Sequence, residues 1–324
     1  GLEVADLLDH PFEPFIVPEH RALVRERYVR RQRGEQVPSR YESAFICADG
    51  SHIDVEDRAM PYADHLRGLF PTLELQVADL FALEAHQIAE LPTRAPDREL
   101  AEVLHAHPEV RTFLEVRHPP IADHLTRVLA AYPPSAGADI ARSEQDLLWE
   151  ISDLLVYDTA PELYDALPVH DWDFAVVHDL VDLADKVVID AGAGSGKVAF
   201  GAEPRARHVF AVEPVARLRD FIRDKAVASG ITDLFVLDGT LDAIPLPAGT
   251  ADVLLTCRAI GWHLEQELVE IERVVRAGGV ALHLGLPHPP EPGDPLHGRL
   301  IEAGYAVVTY TEGQGQRTSY RKHL

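Results

Sequence analysis

The 324 residues carry 53 acidic against 30 basic side chains, a net charge of −23, and so acidic a chain argues against nucleic acid, whose phosphates need a basic face. No stretch approaches the roughly 18 unbroken apolar residues of a membrane span, and no secretory leader is legible. Cys47 and Cys257 are the only cysteines and lie in strand-like runs, which fits free thiols in a reducing compartment and gives the expectation of a soluble, cytoplasmic protein with no membrane partner.

In chain order, Val4–Leu8 and Phe15–His20 precede an arginine-rich helix expected over Arg21–Arg33. Tyr41–Cys47 then alternates as a strand, Asp49-Gly50 signals a hairpin turn, and Ile53–Val55 lies in the return strand. Arg67–Phe70 leads into Leu73–Val77, read as another strand ending near Asp79. With the Pro18-Glu19-His20-Arg21 step and the Arg33-Gly34-Glu35 run, residues 1–80 resemble the later two-thirds of a PAS domain. The resemblance implies a small α+β domain without its first two strands, and so without part of the floor of a sensory pocket. It also implies a homodimer through this PAS-like part.

Residues 81–139 read as a helical connector or cap punctuated by prolines. Leu100, Val103, Leu104 and Val110 form one apolar stripe, and Ile121, Leu125, Val128 and Leu129 another. His105, His107, His118 and His124 are spread over two helices, and Asp123 faces away from His124, so solvated histidines and no metal site are expected. Next, Leu147, Leu148, Ile151 and Leu155 mark an amphipathic helix, followed by Tyr157, Tyr164, His170 and Trp172. Each aromatic alone reads as packing; the cluster makes them candidates to line a pocket.

Residues 187–201 are the most informative in the chain. The β-branched Val187-Val188-Ile189 reads as a buried parallel strand; Asp190 ends it, and Gly192, Gly194 and Gly196 alternate before a helix. A phosphate-cradling loop would need glycine at Ala191 and a hydroxyl at Val198, and has neither. A dinucleotide fingerprint fits Gly194–Ala199 in its permissive form, but leaves Asp190 and Gly192 unexplained and sets an acid against a pyrophosphate. An acid suits a ligand bearing an ammonium group, such as S-adenosylmethionine, whose ribose diol and adenine amine call for further acceptors on the next strands. Those strands are present: Val209–Val212 closes on Glu213, and Phe235–Leu237 closes on Asp238-Gly239.

With Ala251–Cys257 as a fourth strand and Arg273–Gly279 as a helix end and turn, residues 140–324 resemble the class I S-adenosylmethionine-dependent methyltransferases. The resemblance implies that Asp190, Gly192, Gly194 and Gly196 form the cofactor loop. Glu213 takes the ribose hydroxyls, Asp238 with Gly239 meets the adenine amine, and Tyr157, Tyr164, His170, Trp172 and Arg258 face the acceptor. Leu264, Leu268, Ile271 and Val275 recur at helical spacing with Gly278 as a C-cap, Val280–Leu284 is the fifth strand, and Tyr305–Tyr310 with Arg317–Tyr320 a closing hairpin. Pro287–Pro295 reads as an exposed loop.

The expected architecture is thus α/β: a Rossmann-like doubly wound seven-stranded sheet over 140–324, a PAS-like α+β domain over 1–80 and a helical connector between them. The expected function is methyl transfer from S-adenosylmethionine to a small-molecule acceptor, mainly by positioning. His263 is the available base if the acceptor must lose a proton, although Trp262 and His263 also read as the cap of the following helix. A regulatory protein that binds the cofactor without turnover, and a dinucleotide-dependent oxidoreductase, remain alternatives.

Overall fold

The computed structural model describes residues 17, 21, 40–46, 52–58, 62–170, 172–286, 294–312 and 315–324. The readings of Val4–Leu8, Phe15–His20, Arg21–Arg33, Cys47, the Asp49-Gly50 turn and Pro287–Pro295 lie wholly or largely outside these residues. Contacts divide the chain into two compact units, Gly1–Leu163 and Tyr164–Leu324.

In the first unit, β1 (Arg40–Ile46) and β2 (His52–Arg58) pair antiparallel, Arg40 opposite Arg58 and Ile46 opposite His52. Helix α1 (Tyr62–Leu69) follows. The strand expected over Leu73–Val77 is not formed: residues 73–76 are irregular and Val77–Ala82 is a 3-10 helix. Leu73 and Leu75 are buried while Glu74 and Gln76 are exposed, so the alternation that suggested a strand is satisfied by packing, with no paired strand among the described residues. Helices α2 (Ala85–Arg94), α3 (Asp97–Ala106), α4 (Pro108–Arg117), α5 (Ala122–Ala131), α6 (Ile140–Glu150) and α7 (Ser152–Thr159) complete the unit.

Pro108 starts α4, and the extended conformation that a proline forces on the residue before it ends α3 at His107. Leu100, Val103 and Leu104 of α3 bury against α5 and α6. Of the histidines expected to be solvated, His105 Nε2 lies 3.0 Å from the Tyr132 carbonyl, His107 Nε2 lies 2.7 Å from Glu144 Oε1, and His124 is buried.

The second unit begins with the end of a short helix, Pro161–Asp165, and continues through α8 (Ala175–Leu180) to the central strand β3 (Val187–Ala191), buried along its whole length. Then come α9 (Lys197–Ala202), β4 (His208–Val212), α10 (Ala216–Ala228), β5 (Leu234–Leu237), β6 (Ala251–Cys257), α11 (Leu264–Val274), β7 (Val275–Leu286), α12 (Pro295–Glu302), β8 (Ala306–Glu312) and β9 (Gly315–His323). The seven strands lie in the order β5-β4-β3-β6-β7-β9-β8. Strands β3 to β7 are parallel, while β9 runs antiparallel to both β7 and β8.

From β3 the chain builds outward to β4 and β5, then returns to the other side of β3 with β6. That reversal creates a crevice at the carboxyl ends, where open α/β sheets bind ligands. Alternate strand residues feed two cores. Val188, Val209, Val253 and Leu255 pack on one face of the sheet, and Ile189, Val212, Leu254 and Ala281 on the other. Helix α11 stops at Val274, short of the expected Gly278 cap. Gly278, with φ of 78°, instead serves the turn where the β6–β7 register shifts between Val275 and Val280.

Among the described residues no helix is long and apolar enough to cross a membrane. Leu255 is fully buried and Val269 on α11 is 70% exposed. Urea unfolding of Leu255→Ala should therefore show a loss of about 2–5 kcal/mol, and of Val269→Ala less than about 0.5 kcal/mol.

Candidate functional site

The loop after β3 takes a backbone path that side chains resist. Gly192, Gly194 and Gly196 have φ of 73°, 55° and 89°, all left-handed. A Cβ on Gly194 would lie 3.1 Å from the Tyr164 hydroxyl, so the tyrosine sits directly over the loop. His170 meets the Tyr164 ring edge-on at 4.6 Å, and its Nδ1 is buried with no hydrogen-bond partner among the described residues. Burial holds the His170 imidazole below its ordinary pKa.

Carboxylates hold the loop from beneath. Asp190 is fully buried, and its Oδ2 accepts from Ala199 N at 2.9 Å, one of the first-turn amides of α9 that lack a helical partner. Glu213, 5% exposed, accepts from Gly194 N at 2.8 Å through Oε2 and from Val215 N at 2.9 Å through Oε1. Asp238 at the end of β5 is 73% exposed. Gly239 is close-packed: a Cβ there would meet Pro245 Cδ at 2.7 Å and Val212 Cγ1 at 3.0 Å.

Two cations not singled out from the sequence fasten the segments around the loop. Arg219 on α10 donates from one nitrogen, Nη1, to the carbonyls of Glu213 (2.9 Å) and Pro214 (2.6 Å) and to Asp238 Oδ1 (3.0 Å), joining the ends of β4 and β5. Lys225, also on α10, pairs with Asp165 at 3.0 Å and donates to the Ser195 carbonyl at 3.3 Å. The only sequence signal for them is position, on the helix after Glu213; the chain's only lysines are Lys186, Lys197, Lys225 and Lys322.

On the other side of β3, Arg258 has φ of 58° and donates to the Gly285 carbonyl (3.1 Å) and the Val169 carbonyl (3.2 Å), fastening the segment that carries His170. His263 Nδ1 lies 2.8 Å from Asp242 Oδ2. The structure therefore brings Asp190, Gly194, Glu213 and Tyr164 together, with Asp238 reached through Arg219 and His170 through Tyr164. Trp172, 7% exposed, belongs to the apolar core with Val198 and Ala199. Tyr157 lies on α7 in the first unit. A cavity of about 300 Å³ opens at the opposite, amino ends of the strands, lined by Lys186, Asp252, Arg276 and Arg321, where Arg276 already pairs with Asp252 and Arg321 donates to the Leu180 carbonyl.

Residues 189–283 match a family model described as a methyltransferase domain. An uncharacterized methyltransferase of Mycobacterium tuberculosis (strain H37Rv) is 32% identical over 103 residues, 31% of this chain and 40% of that protein. The malonyl-[acyl-carrier protein] O-methyltransferase of Yersinia pestis is 33% identical over 146 residues, 43% of this chain and 48% of that protein. The chain thus spans less than half the length of these relatives. A solved S-adenosylmethionine-dependent methyltransferase from Aquifex aeolicus aligns at 18% identity with a TM-score of 0.42, over 49% of this chain and 94% of that one.

A methyltransferase domain with this loop implies S-adenosylmethionine as the cofactor, and the residues present fit it. The glycines leave the backbone bare, and carboxylates stand at the ends of β3, β4 and β5. Ser195 Oγ is buried in the loop with no hydrogen-bond partner among the described residues. Glu213 already accepts two amides, but each carboxylate oxygen has two lone-pair sites, so acceptor capacity remains.

Burial, reinforced by the Glu213 charge, raises the Asp190 carboxyl to about 7, against the Ala199 amide that favours the anion. Between about pH 4 and pH 7 the folded state keeps this proton and the unfolded chain does not, so this group's contribution to stability falls as pH rises across that window. Thermal melts should show Asp190→Asn losing less stability than wild type over that range; equal slopes would mean that Asp190 is ionised throughout.

Proposed function

We propose that the Tyr164–Leu324 unit binds S-adenosylmethionine at the carboxyl ends of β3, β4 and β5 and directs its methyl group to a small-molecule acceptor. The observation carrying this reading is the series of the glycine loop, Glu213 and Asp238 on three neighbouring parallel strands, within the matched region. When bound, the cofactor supplies a methyl group already activated on a sulfonium. Glu213 accepts the ribose hydroxyls through its remaining lone pairs, and Asp238, held by Arg219, accepts the adenine amine. Asp190 works one layer lower, fixing the start of α9 so that the loop keeps its shape.

On the acceptor side, Tyr164 and His170 form a wall over the loop, Arg258 secures that wall, and Trp172 supports it from the core. Tyr157 stays an acceptor-side candidate on the sequence pattern alone. His263 is the base for an acceptor that must lose a proton. The acidic composition supports a small acceptor over nucleic acid, and the Yersinia pestis relative, named for O-methylation of a malonyl group, supports an oxygen atom. The antiparallel pairing of β1 with β2 supports a PAS-like element in the N-terminal part, which we assign to self-association.

Calorimetry should show S-adenosylmethionine binding to wild type, with Glu213→Ala weaker by about 1.5–3 kcal/mol, the worth of hydrogen bonds to a charged group. Unchanged affinity in the variant would remove the ribose assignment, and no binding by wild type would remove the function. Labelled methyl transfer into a metabolite extract, and not into a protein extract, is the expected acceptor outcome; binding without transfer to either would favour a regulatory protein.

A further inference from the structure

A polar chain joins two loops at the carboxyl edge of the sheet. Thr240 Oγ1 donates to Asp242 Oδ1, and Asp242 Oδ2 faces His263 Nδ1 at 2.8 Å. Thr240 and Asp242 follow β5, and His263 ends the loop after β6. The Thr240 hydroxyl first, and the His263 ring after it, hold the Asp242 carboxyl below its ordinary pKa despite partial burial. An ionised carboxylate only accepts, so the hydrogen between the two side chains belongs to His263 Nδ1, which leaves Nε2 as the nitrogen that carries the lone pair whenever the ring is neutral.

The backbone is fixed independently. His263 N donates to Glu267 Oε1 at 2.9 Å and Gly261 N to Glu267 Oε2 at 2.7 Å, and Glu267 is buried. His263 is the N-cap residue of α11 by position, but its side chain makes no capping hydrogen bond, and Glu267 takes its backbone amide. Despite both restraints the His263 side chain is 69% exposed, and an ion pair that exposed adds little to stability. The same two loops border the glycine loop: a Cβ on Gly192 would lie 2.5 Å from Ala259 Cβ and 3.2 Å from Leu241 Cδ1. An oriented imidazole with an accessible lone pair beside a cofactor loop is the arrangement that proton abstraction requires.

We propose that Asp242, backed by Thr240, is a positioning residue that holds His263 in the tautomer able to take a proton from the methyl acceptor. The proposal rests on the methyltransferase reading and narrows it: the acceptor oxygen is a neutral hydroxyl that must lose its proton, which sets this chain apart from the Yersinia pestis relative, since the free end of a malonyl group is an already anionic carboxylate. His263 Nε2 takes the hydroxyl proton as the oxygen–carbon bond forms and the carbon–sulfur bond breaks, the sulfur keeping the electron pair. Asp242 stabilises the resulting imidazolium, and solvent at the exposed ring removes the proton.

Imidazole nitrogen NMR on the full chain reads the tautomer without an acceptor. Wild type should carry the hydrogen on Nδ1 of His263, and Asp242→Asn should shift it toward Nε2, with Asp242→Glu restoring the wild-type pattern. Labelled methyl transfer into a metabolite extract should fall about 10²-fold in Asp242→Asn and in His263→Ala, the usual contribution of a general base. S-adenosylmethionine affinity by calorimetry should stay unchanged in both. An unchanged tautomer, unchanged transfer in Asp242→Asn, or loss of cofactor affinity alongside activity would each overturn the positioning role. Absence of cofactor binding in wild type would instead overturn the methyltransferase reading, and the NMR arm separates the two failures.

Discussion

A glycine loop in left-handed backbone has no side chains with which to hold itself, so its shape depends on acceptors supplied from outside. Here two buried carboxylates do this: Asp190 takes the Ala199 amide and Glu213 takes the Gly194 and Val215 amides. Their closeness has a cost, because Glu213 pushes the Asp190 carboxyl up on top of what burial does. Amide donors and remaining lone pairs make the arrangement tenable. An acid at the end of a strand thus has two uses, to shape the loop and to face a ligand. Asp190 is committed to the first, while Glu213 serves the first and keeps capacity for the second.

Three cations around the glycine loop reach backbone carbonyls. Arg219 gathers two carbonyls and Asp238 onto a single nitrogen, Lys225 joins Asp165 to the Ser195 carbonyl, and Arg258 joins the Val169 and Gly285 carbonyls. Each fastens an irregular segment whose own hydrogen bonds are too few to fix it. Arg258 does so from a left-handed φ, a strain that a non-glycine residue adopts only where its surroundings impose it. The polar chain through Asp242 extends the same logic to a side chain, orienting an imidazole that packing leaves exposed.

In the first unit, proline geometry and a repeat of apolar residues mark helices because both act within a turn or two, but Val110 falls on α4 rather than α3, and the run Leu147–Leu155 is divided between α6 and α7 at Ile151. Local rules misjudged Leu73–Val77, since alternating burial is necessary for a strand but a ladder also needs a neighbour with free backbone groups. Leu73 and Leu75 find their burial without one.

The sequence by itself determined the sheet of the second unit and the residues that close its strands. β-branched runs, glycine spacing and the acids closing each strand are local properties, and they placed Asp190, Glu213 and Asp238 on three neighbouring strands. Only the tertiary structure decided how those groups are employed. That Asp190 serves a helix terminus, that Trp172 belongs to the core, that the His263 ring turns to Asp242 while Glu267 takes its backbone amide, and that Arg219 and Lys225 fasten the segments around the loop depend on contacts between distant segments. A hydrogen bond is specified by position and direction in space, and residue spacing along the chain carries neither once a loop intervenes.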